Sequence, residues 1–311
     1  MPRQPDAPGM DGVLIVAKPA GPTSHDVVAL VRRLAQTRRI GHGGTLDPFA
    51  AGVLPLFLGA ATRLVEYHLR DDKGYRATVC FGASSTTDDL DGELTPVETP
   101  PPSRDAVASA LEGSLGEQLQ RPPAYSAIQV GGRRAYQLAR AGEAPELAPR
   151  RVELKRLELI EWDDADPARP IAVVDVTCSA GTYVRALARD LGERLGNAAY
   201  LGALTRTASG PFALDGARDL DAIRAAAAES GPEGVRALLL PPDAGLDDIP
   251  SVALTPSEIA DAGQGRFVRP AAGLVGTPDG IPLRLVDAAG TIVGMGRRDG
   301  PRIAPTKILH R

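Results

Sequence analysis

Residues 12 to 18, GVLIVAK, form a short apolar run that breaks between Pro19 and Pro22 and gives way to TSHDVVALVRRLAQ. There Val27, Val28, Val31 and Leu34 recur on one face at helical spacing, so the pattern predicts a strand, a turn and a helix, with Thr23 and Asp26 as a capping box. The stretch YRATVCFG alternates Tyr75, Ala77, Val79 and Phe81 against Arg76, Thr78 and Cys80, the period of a half-buried strand that starts at Tyr75. After the Pro-rich TPVETPPPS, a surface connection, AVASALEGSL reads as a helix. IAVVDVTC reads as a strand and SAGTYVRALARDLGERLG as a turn at Gly181 followed by a helix. Thr182 is the expected cap of that helix, Val184, Leu187, Leu191 and Leu195 its buried face, and Arg185 lies in its first turn.

A shift to SGPEG and PPDAGLDDIP between 229 and 250 suits a domain boundary. Beyond it, PLRLVDAAGTIVGMGRRDG reads as short strands joined by a turn at Ala288 to Gly290. The expected organisation is a polar leader over residues 1–10, a catalytic domain over 11–240 and a small β domain over 250–311. Without regular βαβ alternation, the expected fold class is α/β in the α+β sense: a mixed, largely antiparallel sheet with flanking helices.

Composition changes this picture little. The 311 residues are 43% hydrophobic and 24% charged, and no apolar run is long enough to span a bilayer as a helix. MPRQPDAPGM lacks the apolar core of a signal peptide and reads as a disordered leader. Cys80 and Cys178 offer no disulfide framework, which suits a reducing cytoplasm, and His25, His42, His68 and His310 show no zinc spacing, so no metal is expected. The net charge of -4 argues mildly against a nucleic-acid partner. Between Arg121 and Arg156, however, eight cationic residues stand against three acidic ones. That segment, with Arg133 and Arg134 at its centre, is a candidate phosphate-facing strip or a solvated surface.

The sharpest chemical feature is GHGGTLDP at 41–48. Gly41, Gly43 and Gly44 open backbone angles closed to other residues, and Pro48 pushes Asp47 toward extended backbone. An ordinary Asp-Pro turn would use the same residues. There is no GxxxxGK[ST], no GxGxxG spacing and no GxSxG, so phosphate-loop, dinucleotide and serine-hydrolase chemistry lack their motifs. No second carboxylate adjoins Asp47 in sequence for glycoside hydrolysis.

Five segments in order, DGVLIVAKPAGPTSHDVV, GHGGTLDPFAAGVLPLFLGAATRL, KGYRATVCFG, RPPAYSAIQVGGRRAY and CSAGTYVRALARDLGERLG, resemble the TruB family of bacterial tRNA pseudouridine-55 synthases. The resemblance covers most of residues 11–212, and the C-terminal stretch resembles the family's PUA-like RNA-binding domain. It implies a pseudouridine synthase fold and isomerisation of uridine 55 in the tRNA T-loop, with the base flipped out of its stack. No cofactor is expected, because the reaction is neither redox nor energy-requiring. Asp47 matches the catalytic aspartate, as nucleophile, charge stabiliser or base. Arg185 matches its arginine partner, expected to grip the carboxylate through two hydrogen bonds and to lower its pKa by about 1 to 3 units. Tyr75 matches the tyrosine that stacks on uracil and assists removal of the C5 proton. Tyr183 and Leu204 match pocket-lining positions, and His42 the histidine that stacks in the opened T-loop. The expected partner is the T-stem-loop of tRNA, bound by a monomer without a membrane or an obligate protein partner. Two rivals stand beside this reading: a guide-RNA-dependent relative resembling dyskerin, and a non-catalytic RNA-binding chaperone.

Overall fold

The computed structural model describes residues 9–126, 128–143, 147–270, 274 and 277–309. Residues 1–8 of the expected leader, and His310, lie outside them. Met10, assigned to the leader by sequence, is 3% exposed and belongs to the main core, because its thioether side chain has apolar neighbours there.

The chain begins with β1 (Gly12–Lys18), α1 (Ser24–Leu34), β2 (Ile40–His42) and β3 (Ala51–Leu58), followed by a 3-10 turn (Gly59–Arg63) and α2 (Val65–His68). It continues with β4 (Lys73–Phe81), β5 (Ala83–Ser85), β6 (Leu94–Pro96), α3 (Arg104–Glu112), β7 (Gly116–Gln120), β8 (Gln129–Val130), β9 (Arg133–Arg134) and α4 (Ala135–Arg140). Next come β10 (Arg150–Asp163), β11 (Ile171–Cys178), α5 (Val184–Arg194), β12 (Ala199–Ser209), β13 (Phe212–Ala213), α6 (Leu220–Ser230) and α7 (Pro232–Arg236). A last group holds β14 (Ser251–Ala253), α8 (Pro256–Gly263), β15 (Pro282–Val286), β16 (Ile292–Asp299) and β17 (Arg302–Ile308).

A nine-stranded sheet runs in the order β1-β3-β12-β4-β11-β10-β7, with β2 paired to β3 and β13 to β12. Its pairs are antiparallel except β3 with β12, which makes the sheet mixed and largely antiparallel. The alternation seen in YRATVCFG becomes β4, near the middle of the sheet, with Ala77, Val79 and Phe81 buried. α1 starts where the capping box predicts: the Asp26 amide donates to Thr23 Oγ1 at 3.0 Å, and the Thr23 amide donates to Asp26 Oδ2 at 2.9 Å. Such a cap stabilises by about 1 kcal/mol. The cap expected at Thr182 does not form. Its hydroxyl donates to the Ser179 carbonyl at 2.8 Å, and Tyr183, one residue later, starts α5 with its amide donating to Gln120 Oε1 at 2.8 Å.

The C-terminal group forms a four-stranded sheet, β14-β15-β16-β17, and includes α8 as well as strands. Leu254, Leu283, Leu285 and Ile303 make its own core. A second cluster joins Ile292, Met295 and Leu309 of this group to Ala60 and Leu64, which follow β3. Fully burying a side chain of this size stabilises by about 2 kcal/mol, so the small sheet is seated on the segment between β3 and β4. Lys307 reaches Glu66 at 3.2 Å and Arg284 reaches Asp243 at 3.0 Å across the same junction.

Candidate active site

The turn bearing Asp47 leads into β3, and side chains from three other segments fix it. Ser24, 1% exposed at the start of α1, brackets Leu46: its hydroxyl donates to the Leu46 carbonyl at 3.0 Å and accepts from the Leu46 amide at 2.9 Å. Lys18, 1% exposed at the end of β1, donates to the carbonyls of Pro19 (2.8 Å), Pro48 (3.2 Å) and Ala50 (2.7 Å). Arg206, 1% exposed on β12, donates to Val53 (2.7 Å), Gly44 (3.1 Å) and Thr45 (3.4 Å). Each bond satisfies a carbonyl that would otherwise lose water without replacement.

Only some of the glycines are demanded by this geometry. Gly44 has φ +130°, closed to residues with a Cβ, whereas Gly41 has no positive φ and room for a side chain. Gly52 combines φ +111° with a backbone approach so close that a Cβ would lie 2.2 Å from the Arg206 carbonyl oxygen. This is where β3 and β12 run parallel, Gly52 opposite Arg206.

Arg185 meets Asp47 across the site. Its Nε lies 3.0 Å from Asp47 Oδ2; the Arg185 side chain is 5% exposed and that of Asp47 39% exposed. The two-bond grip expected from sequence is not formed. The N–H at Nε is not aligned on the carboxylate, so this contact is an ion pair without a well-directed hydrogen bond. The rest of the fork goes elsewhere: Nη1 pairs with Asp89 Oδ2 at 3.1 Å and donates to the Thr87 carbonyl at 3.0 Å, while Nη2 donates to the Tyr125 carbonyl at 3.0 Å. One buried guanidinium thus serves two carboxylates and two backbone carbonyls.

Asp89 belongs to the polar loop TTDDLDG, which lies between the elements read from the sequence and carries no role in that reading. Its side chain is 5% exposed, accepts from the Asp91 amide at 3.0 Å and is hydrogen-bonded by the Thr87 hydroxyl. Asp88 beside it, with φ +62°, pairs through Oδ2 with Arg189 Nη1 at 2.7 Å, one helical turn along α5 from Arg185. The loop is therefore pinned to α5 by two adjacent aspartates on two arginines spaced i, i+4.

The electrostatics reverse one expectation. Burial pushes the Asp47 carboxyl above the usual carboxylate range, and this outweighs the opposing pull of Arg185 and then Lys18; Asp89, a second negative charge beside the same arginine, adds to the rise. Burial also drives Lys18 down to about 8. The Tyr75 hydroxyl is pushed up to about 12, again chiefly by burial, with the Arg206 guanidinium opposing. Tyr75 lies opposite Arg206 in the β4–β12 pairing. Its phenol is protonated at neutral pH, so the expected help in removing the C5 proton does not come from a phenolate.

His42, the last residue of β2, accepts from the Gly44 amide through Nδ1 at 3.3 Å, and its ring meets His25 edge-on at 5.9 Å. Burial, with His25 and Arg206 nearby, lowers its pKa and favours the neutral imidazole. Leu204 on β12 is 8% exposed and packs within the main core. Tyr183 is held at the start of α5 by Gln120, whose amide also donates to its carbonyl at 3.1 Å. Asp47, Arg185 and Tyr75 thus come together at the central strands β3, β12, β4 and β11. Arg133 and Arg134 lie on the exposed β9 hairpin, where Arg133 pairs with Glu143 at 3.0 Å. Among the described residues no cluster of His, Cys, Asp or Glu could hold a metal, and no helix is long and apolar enough to cross a membrane.

The fold is that of the pseudouridine synthases. It matches the structure of an H/ACA RNP bound to a substrate RNA containing 2'-deoxyuridine, with a TM-score of 0.72 at 23% identity, covering 96% of this chain and 85% of the other. A Cbf5-Nop10-Gar1 complex matches at the same TM-score and coverage with 25% identity. The family models are more specific: the N-terminal domain of TruB family pseudouridylate synthase matches residues 32–184, and the tRNA pseudouridylate synthase B C-terminal domain matches residues 185–247. The tRNA pseudouridine synthase B of Thiobacillus denitrificans is 41% identical over 98% of both chains. That of Bradyrhizobium diazoefficiens is 43% identical over 85% of this chain and 76% of its own. The chain belongs to the TruB family.

Proposed function

We propose that this protein isomerises uridine 55 in the T-loop of tRNA to pseudouridine, acting without a guide RNA, partner chain or cofactor. The observation that carries the proposal is the Asp47 carboxylate held 3.0 Å from the buried Arg185, in a turn riveted by Lys18, Ser24 and Arg206. Relatives about 40% identical over most of the chain bear the name tRNA pseudouridine synthase B, and this supports the substrate class.

In the reaction the bond from ribose C1' to N1 of uracil breaks and a bond from C1' to C5 forms. The proton leaves C5 and N1 gains one, so atoms and electrons balance without a co-reactant. Asp47 acts ionised whether it attacks the sugar, stabilises positive charge there or removes a ribose proton. Its pocket opposes that ionisation, and Arg185 with Lys18 supplies the countercharge. The Tyr75 ring offers the flipped uracil a stacking face, with Tyr183 and Leu204 as further pocket residues. A neutral His42 at the turn's entrance takes the place of a stacking partner lost when the T-loop opens. Arg133 and Arg134 contact the RNA backbone, and the C-terminal sheet provides a second RNA-binding surface. The reading places a monomer in the cytoplasm, where a reducing environment keeps the free thiols Cys80 and Cys178 unmodified.

The test is incubation of the purified chain with unmodified tRNA and mapping of pseudouridine by position. Product at position 55 from protein and RNA alone is expected. Product only on adding a guide RNA and partner proteins would move the chain to the guide-dependent class, and binding without product would leave an RNA chaperone.

A further inference from the structure

Several surface arginines of this protein are paired with carboxylates. Arg133 pairs with Glu143, Arg151 with Glu117, Arg156 with Glu158, Arg224 with Asp221 and Arg266 with Asp261. Others, such as Arg70, Arg169 and Arg218, stand scattered without an ion pair among the described residues, and one group is concentrated in a short stretch of sequence. Residues 27–46 contain Arg32, Arg33, Arg38 and Arg39 and no Asp or Glu, in a chain whose net charge is -4. All four are exposed, and among the described residues Arg32, Arg33 and Arg39 have no ion-pair partner.

The backbone gathers them. α1 ends with Ala35 as its C-cap, and Gln36 turns the chain at φ +47°. The Thr37 amide then donates back to the Arg32 carbonyl at 3.3 Å, a Schellman-type closure, with Thr37 itself 3% exposed. The two arginine pairs therefore flank one tight reversal at the end of α1. From there Arg39 leads into β2, whose last residue is His42, and its carbonyl accepts from the Gly59 amide at 2.8 Å. At about 3.3 Å per strand residue, Arg39 and His42 are roughly 10 Å apart along the chain. A polyanion entering the Asp47 pocket past His42 has this cluster within a few nucleotides of its flipped base.

We propose that Arg32, Arg33 and Arg39, with Arg38 adding charge, form a phosphate-binding surface that takes the RNA backbone next to the extruded nucleotide. This rests on the tRNA reading above and adds the place where the backbone is gripped. The cluster suits the role better than the β9 hairpin, because Arg32, Arg33 and Arg39 have no carboxylate among the described residues to leave before a phosphate docks, whereas Arg133 must leave Glu143. Both ends of the reversal are tied to secondary structure, so the cationic groups project from a backbone already in place.

The experiment measures equilibrium binding of the full chain to unmodified tRNA across a salt series. It compares wild type with Arg32→Ala/Arg33→Ala/Arg39→Ala and with the matching triple Lys variant, each checked for unchanged melting. Each phosphate that is no longer neutralised should reduce the slope of log affinity against log salt by about 0.7 to 0.9. The Ala variant is expected to lose roughly two units of slope and the Lys variant to keep it, since phosphate binding needs charge more than a planar fork. An unchanged slope in the Ala variant overturns the proposal. So does equally tight, arginine-dependent binding to phosphatidylserine vesicles, which would mark a lipid surface. Failure of the isomerase reading shows separately, as RNA binding by wild type without pseudouridine formation.

Discussion

The turn around Asp47 and the segment from 121 to 143 are both polar, yet they are held in opposite ways. In the turn, buried cations and a buried hydroxyl bond to backbone carbonyls: Lys18 to three, Arg206 to three, Ser24 to both backbone groups of Leu46. In the segment, the described ion pair of Arg133 joins two half-exposed side chains. The first arrangement fixes a backbone, because leaving buried carbonyls unpaired costs about 1 to 3 kcal/mol each. The second fixes little, because an exposed pair contributes about 0 to 1 kcal/mol and exchanges readily with water or another charge. A bond-breaking step needs the former and a surface that meets a large flexible ligand can use the latter. Arg185 links the two regions, since the same guanidinium faces Asp47 and bonds to the Tyr125 carbonyl.

The difference between the two regions is broken most completely at Asp47. Asp47→Asn keeps the size and removes the charge, and single-turnover rates are expected to fall at least a thousandfold, about 4 kcal/mol of transition-state stabilisation, with tRNA binding retained. Stability should move the other way. Because burial raises the Asp47 pKa, the folded state holds this proton to higher pH than the unfolded chain does. The stability contribution of Asp47 therefore falls as pH rises from the ordinary carboxylate value through the raised one, and the ionised form is a cost at neutral pH. Melting at pH 8 should be higher for Asp47→Asn than for wild type, with the gap closing under acid conditions where Asp47 is protonated. A lower melting temperature at pH 8 would mean that pairing with Arg185 outweighs burial. The wild-type rate should correspondingly rise with pH through an ionisation above the ordinary carboxylate range.

A smaller but more discriminating change is Arg185→Lys. An ammonium can face Asp47 as well as a guanidinium can, but it cannot also span Asp89, the Thr87 carbonyl and the Tyr125 carbonyl. Turnover is expected to fall by at least about a hundredfold, roughly 2.7 kcal/mol, with a lower melting temperature from the abandoned carbonyls. A Lys variant within a few fold of wild type in single-turnover assays would show that charge alone suffices at this position.

How much of this was legible depends on whether the cause is local. The α1 capping box and the alternation of β4 are written in consecutive residues, and both elements form there, β4 starting at Lys73, two residues before the expected Tyr75. The roles of Asp89 and Arg206 come from partners nearly a hundred or more residues away. β12 shows why periodicity could not find Arg206: Ala199 and Leu201 face the core, a register shift follows between Leu201 and Ala203, and Leu204 and Arg206 then take the inward face. A strict period of two carried on from Ala199 would have turned Arg206 outward. The proximity of Arg185 to Asp47 entered through family resemblance, since no local spacing relates positions 138 residues apart. The direction of the Asp47 shift needed the pocket itself, because an arginine partner says nothing about how much water the carboxylate has lost.

The smallest expected effect lies in the exposed region and turns on its sign. If Arg133 meets an RNA phosphate, it must first leave Glu143, 3.0 Å away. Arg133→Ala should then weaken tRNA binding only about two- to fivefold near 0.1 M salt, because the phosphate merely takes the carboxylate's place in an ion pair already worth about 0 to 1 kcal/mol. Glu143→Ala removes the competitor and should tighten binding by a similar small factor, steepening the salt dependence as one more cation becomes available. If Arg133 serves only its hairpin, neither variant moves the affinity, and Glu143→Ala leaves the slope where it was. The double variant completes the cycle: with Arg133 gone, removing Glu143 should alter binding only through its own long-range repulsion of phosphate. Equilibrium titrations of the four proteins at two salt concentrations separate these cases, since competition for Arg133 predicts effects of opposite sign in the two single variants.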